Sequence, residues 1–312
     1  MRLQGLHHIT MITADARANV EFYADVLGLR LVKKTVNFDQ PDAYHLYFGD
    51  ERGTPGSILT WFEFPGAAPG RPGAGMIHVI ELGVASEDAL AFWEQRLADR
   101  VHPSAREQHS LRFQDYDGLA FALIVGGGDP PLRAEHPEIP REHAIGGIEG
   151  ARALHPASAL GEEQPLLTQG LGFTYLGAGG YRLDGEQRRF AWGYDPAPAQ
   201  PGLQGAGSVH HIAWACLDDD QLAWQRRMRD AGRQVTEVLD RDYFTSIYFR
   251  EPRHVLFEIA TLSPGFAVDE DPQHLGERLQ LPKQHEHLRP RLEQLLTPVQ
   301  NPRTARDAQL QA

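Results

Sequence analysis

The stretch Val209-His210-His211-Ile212-Ala213, followed later by His254-Val255-Leu256-Phe257-Glu258-Ile259-Ala260, indicates both the fold and a site. Both segments are short, apolar and rich in β-branched and aromatic residues, which predicts two strands. Because alternate residues of a strand share a face, Glu258 points away from the side of Phe257 and Ile259. A carboxylate among apolar residues is costly to bury unless a cation or hydrogen bonds compensate it. The pattern therefore favours a cation beside Glu258.

A third segment, Leu6-His7-His8-Ile9-Thr10, nearly repeats the pattern of Val209–Ala213. Two histidines and one carboxylate form a donor set that binds Fe(II) or Mn(II) and leaves coordination positions open. The sequence thus predicts a metal site assembled from segments about 200 residues apart.

Composition limits the class of protein. The chain has 312 residues, 41% of them hydrophobic and 23% charged, which is typical of a globular protein with room for two domains. A single cysteine, Cys216, with no membrane-spanning run and no signal sequence, predicts a cytoplasmic protein. The net charge of −12 argues against nucleic acid or an anionic membrane as a partner. A small-molecule substrate is favoured.

The N-terminal segment predicts a β-α-β-β-β module. A strand over residues 6–13 leads into a helix that ends at Gly28, and three strands follow at Leu29–Val36, Tyr44–Gly49 and Ser57–Phe64. The same order recurs from Val209 onward, which indicates an internal repeat.

Two weaker copies lie between these modules, with first strands at Met76–Val84 and Gly147–His155. Gly/Pro-rich joints separate the copies. The repeat is aligned on His8, His78, Glu149 and His211, which gives four modules. They predict an N-terminal domain over 1–135 with modules 1 and 2, a C-terminal domain over 145–265 with modules 3 and 4, and a tail over 266–312.

The modules resemble the vicinal-oxygen-chelate superfamily (glyoxalase/bleomycin resistance/dioxygenase), and within it most closely the hydroquinone-cleaving ring dioxygenases. The motifs that carry this resemblance are Leu6–Thr10, Leu29–Asn37, Tyr44–Tyr47, Gly53–Gly56, Val209–Ala213, Tyr248–Pro252 and Leu256–Ala260. The resemblance implies an α+β fold in which four βαβββ modules form two glyoxalase-like domains with mixed, cup-shaped β-sheets.

It also implies a metal-dependent enzyme of aromatic compound degradation, an extradiol-type oxidoreductase that inserts both atoms of O2 into a hydroquinone-type or catechol-type diol. The implied cofactor is Fe(II), with Mn(II) as the second choice, and a homo-oligomer is allowed. The resemblance makes His8, His211 and Glu258 the metal ligands. It places five catalytic candidates around the open coordination face: Tyr248, His210, Arg241, His7 and Thr10.

Two other functions remain open. A glyoxalase-like isomerase or lyase would need a metal and a carboxylate base but no oxygen, and a binding or resistance protein would need no metal. Because His8 lies in module 1 while His211 and Glu258 lie in module 4, we expect these two modules to share one cup. Ala122 occupies the place that matches Glu258 in module 2, so no second metal is expected there.

Some residues also have plain structural interpretations. Glu258 could pair with Arg253 or Arg250, Tyr248 could be a core residue, and Arg241 could make surface ion pairs. Strict alternation turns His7 and His210 away from the ligand candidates unless the strands bulge. Lys33 and Lys34 are expected at a solvated strand edge.

Overall fold

The computed structural model describes residues 1–101, 103–156 and 161–304. Within them, the first module contains β1 (Gly5–Thr13), α1 (Ala16–Val20) with a π-helical continuation (Glu21–Val26), β2 (Arg30–Val36), β3 (Tyr44–Gly49) and β4 (Ile58–Glu63). The second contains β5 (Ile77–Val84), α2 (Glu87–Leu97), β6 (Pro103–Glu107), β7 (Ser110–Gln114) and β8 (Ala120–Val125).

The third module contains β9 (Ile148–His155), a π-helical turn (Leu166–Gly170), β10 (Thr174–Gly177), β11 (Gly180–Asp184) and β12 (Arg189–Pro196). The fourth contains β13 (Ser208–Cys216), a 3-10 turn (Asp218–Asp220), α3 (Gln221–Asp230), β14 (Leu239–Asp240), β15 (Thr245–Arg250) and β16 (Leu256–Thr261). The tail adds 3-10 turns (Phe266–Val268, Lys283–Leu288) and α4 (Arg289–Leu295). The predicted order of elements is confirmed.

The helices begin and end where local chemistry dictates. The Asp15 carboxylate caps α1 by accepting hydrogen bonds from the backbone N–H groups of Arg17 and Ala18. After the π-helical continuation, Gly28 adopts φ of 71°, a left-handed conformation that suits glycine and ends the helix. The longest helix, α2, has 11 residues. Among the described residues, no helix is long and apolar enough to cross a membrane.

The strands form two eight-stranded mixed sheets. The first sheet has the order β14-β15-β16-β13-β1-β4-β3-β2, and the second has the order β10-β11-β12-β9-β5-β8-β7-β6. Modules 1 and 4 therefore share the first sheet through the antiparallel β1–β13 pair, which confirms the predicted pairing. The domain boundaries at 1–135 and 145–265 stay a prediction about units along the chain.

Each central strand of the first sheet has an apolar face and a polar face. Ile9, Ile212 and Phe257 are fully buried in a large apolar cluster that also includes residues of the second sheet. Residues one position away in β1, β13 and β16 point to the opposite, concave face of the sheet. That face holds the site.

The tail covers part of the same sheet. Lys33 on β2 is fully buried and pairs with Asp269 at 2.5 Å and with Glu270, while Lys34 Nζ donates to the carbonyl of Val299 at 2.9 Å. The expectation that Lys33 and Lys34 form a solvated edge is wrong, because the tail packs over β2. Residues 305–312 of the predicted tail lie outside the described residues.

Candidate metal centre

Both histidine pairs lie at β-bulges. The antiparallel β1–β13 pairing is irregular at two places, where His7 is the extra residue of β1 and His210 is the extra residue of β13. A bulge breaks the alternation of faces, so two consecutive side chains can lie together. The Nδ1 atoms of His7 and His8 are 2.9 Å apart, and those of His210 and His211 are 2.8 Å apart. The alternation argument fails at these positions because the strands bulge there.

Three donor atoms converge on the concave face. The Nε2 atoms of His8 and His211 are 3.3 Å apart, and Glu258 Oε2 lies 3.4 Å from the first and 2.9 Å from the second. All three side chains are buried. Ligand atoms about 2.1 Å from one ion and roughly at right angles lie about 3.0–3.4 Å apart. The spacing fits three ligands on one side of a metal ion.

The chemistry of the donors also fits a cation. The Ser246 hydroxyl donates to Glu258 Oε1, whereas the buried Oε2 faces the Nε2 atoms of His8 and His211. A buried carboxylate is strongly unfavourable unless a positive charge or hydrogen bonds compensate it. A divalent ion between Oε2 and the two imidazoles would supply that charge.

The His7 imidazole fixes the tautomer of His8. A carbonyl can only accept, so His7 Nε2 donates to the carbonyl of Thr261 at 3.1 Å. Burial, followed by the proximity of His8, lowers the pKa of His7 to about 3, so this ring is neutral and its Nδ1 accepts. The proton between the two rings therefore belongs to His8 Nδ1, which leaves a lone pair on His8 Nε2 toward the convergence point.

The His210–His211 pair has the same contact without the same anchor. His210 is partly exposed, and burial with the proximity of His211 lowers its pKa to about 3. Burial also lowers the pKa of His211, so both rings are neutral near pH 7. A proton on His211 Nδ1 shared with His210 Nδ1 leaves the His211 Nε2 lone pair free to bind a metal.

A narrow cavity opens beside His8 and His211, two members of the triad formed by His8, His211 and Glu258. It is lined by His8, Asn37, Phe38, Asp39, His45, Tyr47, Phe62, His211, Arg241, Phe244 and Tyr248. Its volume is about 30 Å³, room for about one water molecule, so a ring enters only if side chains at the mouth move outward. The guanidinium of Arg241 lies there, 5.5 Å from the Phe38 ring centre and 3.3 Å from an Asp39 carboxylate oxygen.

Tyr248 lies between Arg241, at the mouth of the cavity, and the triad. It pairs directly across the strands with Glu258, and its ring centre is 5.7 Å from that of His211. The Arg241 guanidinium lies 5.6 Å from the Tyr248 ring centre. Burial, followed by the Glu258 carboxylate, raises the pKa of Tyr248, so the phenol keeps its proton at neutral pH. Tyr248 is thus a hydrogen-bond donor on the cavity wall.

The predicted site residues separate into two groups. Tyr248 and Arg241 line the cavity, whereas His7, His210 and Thr10 are not among its lining residues. Thr10 accepts a hydrogen bond from Thr60 at 2.9 Å. Glu258 does not pair with the two arginines considered as alternatives, because Arg253 binds Glu163 and Arg250 donates to the carbonyl of His254.

The sequence-based site lacked Ser246, which donates to Glu258, and seven residues of the cavity walls: Asn37, Phe38, Asp39, His45, Tyr47, Phe62 and Phe244. The two-residue period of a strand could have identified Ser246, which lies two positions before Tyr248 on the same face. It could likewise have assigned His45 and Tyr47 to one face of β3. The phenylalanines carried no such signal because buried aromatic residues are common in any core.

Among the described residues, the second sheet has no equivalent triad. Its central strands bulge at His78 and at Glu149, so these residues match His7 and His210, and the sequence alignment on His78 and Glu149 is wrong by one position. The shift arises because each bulge adds a residue that the spacing alone does not reveal. Within the described ranges, the triad of the first sheet is the only group of three such residues with converging donor atoms.

The charged groups of the second sheet neutralise one another. Arg152 donates through Nε and Nη2 to the two oxygens of Asp195, at 2.7 and 2.5 Å, and His78 Nε2 lies 2.8 Å from the same carboxylate. Ala122, predicted to match Glu258, pairs with Glu81 on β5 and offers no donor atom.

Comparisons with known proteins agree with this architecture. The chain matches the family described as "Glyoxalase/Bleomycin resistance protein/Dioxygenase superfamily" over residues 5–122 and 166–259. It is 42% identical to the Bacillus subtilis protein named "Putative ring-cleaving dioxygenase MhqO", over 96% of this chain and 97% of that protein. It is 31% identical to "Chlorohydroquinone/hydroquinone 1,2-dioxygenase" of Sphingobium indicum, over 93% and 95%.

A solved structure extends the agreement to the fold. The crystal structure titled as a "putative dioxygenase" from Bacillus subtilis is 40% identical in sequence, with a TM-score of 0.88 over 96% of this chain and 98% of that chain. The two mixed sheets and the four modules are therefore a family architecture. This chain belongs to the glyoxalase/bleomycin resistance protein/dioxygenase superfamily.

Proposed function

We propose that this protein is a metal-dependent ring-cleaving dioxygenase that inserts both atoms of O2 into a hydroquinone-type aromatic diol. The observation that carries the proposal is the buried convergence of His8, His211 and Glu258, three acceptors that a cation would hold together. The printed names of the two curated relatives support the reaction class and the substrate class.

The proposal includes the metal and the type of cleavage. Two imidazoles and one carboxylate favour Fe(II), with Mn(II) as the second choice, and extradiol-type cleavage follows from the resemblance. His8, His211 and Glu258 would hold the ion. A divalent ion there keeps one unit of positive charge beyond the single Glu258 carboxylate, and its chemistry is to favour an ionised substrate hydroxyl and to bring the ring and oxygen together.

The chain's own residues have separate tasks. His7 and His210 hold the two ligand imidazoles in the tautomer that keeps Nε2 free. Tyr248 holds a proton at its hydroxyl on the cavity wall, where it can be given to a substrate oxygen. Arg241 orients the Tyr248 ring and closes the mouth together with Asp39. The rings of Phe62 and Phe244 provide apolar walls for an aromatic substrate.

The isomerase alternative meets an obstacle in the fold. Glu258 pairs with Ala213, which lies two positions after His211. Thr10 lies two positions after His8, and its partner is Thr60. A carboxylate base is thus absent at the place where the pseudo-symmetry of this sheet would put one.

The remaining parts of the proposal concern the setting of the reaction. The partners are the diol and O2. From the sequence we infer a cytoplasmic location. We also predict domain units over 1–135 and 145–265, a tail over 266–312 and a homo-oligomer.

Oxygen uptake tests the proposal. Protein reconstituted with Fe(II) without oxygen is mixed with hydroquinones, and we expect one O2 consumed per diol and a conjugated, ring-opened product that absorbs in the near ultraviolet. Metal-free protein is the control, and catechols are expected to react more slowly. Turnover of a thiol–aldehyde adduct without oxygen uptake would favour the isomerase. Diol binding by protein that retains no metal would favour a binding protein.

A further inference from the structure

The first sheet carries a second group of polar side chains, on the flank opposite Tyr248. Tyr47 and His45 lie two positions apart on β3 and line the cavity. The Tyr47 hydroxyl is 2.9 Å from His45 Nδ1, and His45 Nε2 is 2.9 Å from the hydroxyl of Thr60 on β4. Thr60 in turn donates to Thr10 at 2.9 Å. The four residues form one continuous hydrogen-bond chain.

The directions of these hydrogen bonds follow from their partners. Thr60 gives its only hydroxyl proton to Thr10, so it accepts from His45, whose Nε2 must carry a hydrogen. Burial, followed by the proximity of His8, holds the pKa of His45 well below its usual range, so the ring is neutral and Nδ1 accepts. The hydrogen between Tyr47 and His45 is therefore that of the tyrosine. The Tyr47 oxygen keeps its lone pairs for a hydrogen bond from another group in the cavity.

The strand register shows that this group lies on the opposite flank of the sheet from Glu258, at a comparable position. Tyr47 pairs with Thr60 across β3 and β4, as Tyr248 pairs with Glu258 across β15 and β16. Both tyrosines reach the same cavity, one from each side of the central β13–β1 pair. The first sheet thus has a flank that presents a carboxylate to the ion and a flank that presents a hydrogen-bonded Tyr–His pair.

We propose that Tyr47, held by His45, accepts a hydrogen bond from the substrate hydroxyl that the metal ion does not bind. A para-diol has its two hydroxyls on opposite sides of the ring, so the one away from the triad flank would donate to the Tyr47 oxygen. Tyr47 is the catalytic residue because it touches the substrate, and His45 acts through it. The inference rests on the proposed function.

The substrate keeps its proton in this arrangement. Its hydroxyl donates to the Tyr47 oxygen, the Tyr47 hydroxyl donates to His45 Nδ1, and His45 Nε2 donates to Thr60. Because the pKa of His45 lies well below its usual range, the ring stays neutral and fixes the direction of each hydrogen bond in the chain.

Three variants of the Fe(II)-loaded protein test the proposal. Tyr47→Phe removes the accepting oxygen, His45→Phe removes the acceptor that fixes the Tyr47 hydroxyl, and Tyr44→Phe removes a hydroxyl on the core face of the same strand. We expect the first two to lower kcat/KM for a hydroquinone about 10-fold, the loss typical of one hydrogen bond. Metal content should stay at the wild-type level, and Tyr44→Phe should retain wild-type kcat/KM.

A readout without turnover accompanies the kinetics. The ultraviolet difference spectrum of hydroquinone bound without oxygen distinguishes the doubly ionised diol from the form that retains one hydroxyl. We expect the form that retains one hydroxyl in the wild-type protein, and weaker binding of the diol by Tyr47→Phe and His45→Phe. A doubly ionised diol, wild-type kcat/KM in both variants, or a loss of metal that parallels the loss of kcat/KM would overturn the inference. Absence of oxygen uptake by the wild-type protein would instead overturn the proposed function.

Discussion

The two sheets have the same strand order and bulge at matching places, yet their concave faces hold different chemistry. His7 and His210 occupy the bulges of the first sheet, and His78 and Glu149 occupy those of the second. In the first sheet, the residues that follow the bulges are His8 and His211, the two histidines of the triad. In the second, they are Val79 and Gly150, which offer no donor side chain.

The place of the carboxylate also differs. In the first sheet, Ala213 lies two positions after His211 and pairs with Glu258. The corresponding residues of the second sheet, Arg152 and Glu81, pair with Gly193 and Ala122. The small residues leave room for neighbouring charged groups, since a Cβ on Gly193 would lie 2.6 Å from Arg152 Nη1. In the second sheet Arg152, His78 and Asp195 pair with one another, whereas in the first sheet Glu258 Oε2 converges with the Nε2 atoms of His8 and His211. The comparison teaches that this fold becomes a metal site only where donor atoms converge on one point.

The largest expected effect distinguishes Glu258 of the first sheet from Glu81 of the second. Glu258→Gln should weaken metal binding by more than about 100-fold, because a neutral amide is a poorer ligand for a divalent cation, and should abolish oxygen uptake. The variant should remain folded, because the neutral amide has nearly the same size and shape as the carboxylate. Metal analysis and thermal unfolding on the same samples provide the measurement.

Glu81→Gln in the second sheet is the matched control, and it should retain full metal content. If Glu258→Gln kept its metal while its stability fell by about 3–5 kcal/mol, Glu258 would be a structural ion-pair partner instead.

A smaller effect is expected at the bulges. His7→Phe removes the acceptor that holds the His8 tautomer, so metal affinity should fall about 10- to 100-fold. His78→Phe at the matching bulge should leave metal affinity unchanged. His7→Asn, which restores an acceptor near the Nδ1 position, should recover part of the loss. Competition with a chelator gives the affinities, and equal losses in His7→Phe and His78→Phe would contradict the comparison.

The smallest effect belongs to the ion pair of the second sheet. Hydrogen bonds from Arg152 hold the pKa of Asp195 at about 2, against an ordinary value of 3.8. A carboxyl with a lowered pKa in the folded state stabilises the protein above its unfolded value and loses this effect as pH falls through the folded value. Because Asp195 is about one-third exposed, we expect Asp195→Asn to cost only about 1 kcal/mol near neutral pH.

The deficit of Asp195→Asn should shrink as pH falls from about 4 toward 2, as measured by chemical denaturation. Metal content and oxygen uptake should match the wild type. A deficit that does not change across this range would mean that the aspartate contributes through packing and not through its charge.

Short-range patterns in the sequence determined much of this protein. The two-residue period around Glu258 and the near-repeat of the histidine motifs sufficed to predict the strands, the four modules and a site of two histidines and one carboxylate, and the family resemblance assigned His8, His211 and Glu258 as its members. These features depend on neighbouring residues and on repeat spacing, both of which are visible in the chain. Even the sharing of one cup by modules 1 and 4 followed from the requirement that three donors meet at one ion.

Tertiary structure decided what depends on one extra residue or on distant packing. The bulges that turn His7 and His210 toward the ligand histidines insert single residues, which periodicity cannot locate. The burial of Lys33 depends on carboxylates more than 200 residues away, in a tail whose path the local sequence does not specify. The Tyr47–His45 group acquired its place only when β3 and β4 folded beside β1, because strand order is set by long-range pairing and not by the residues of the strand itself.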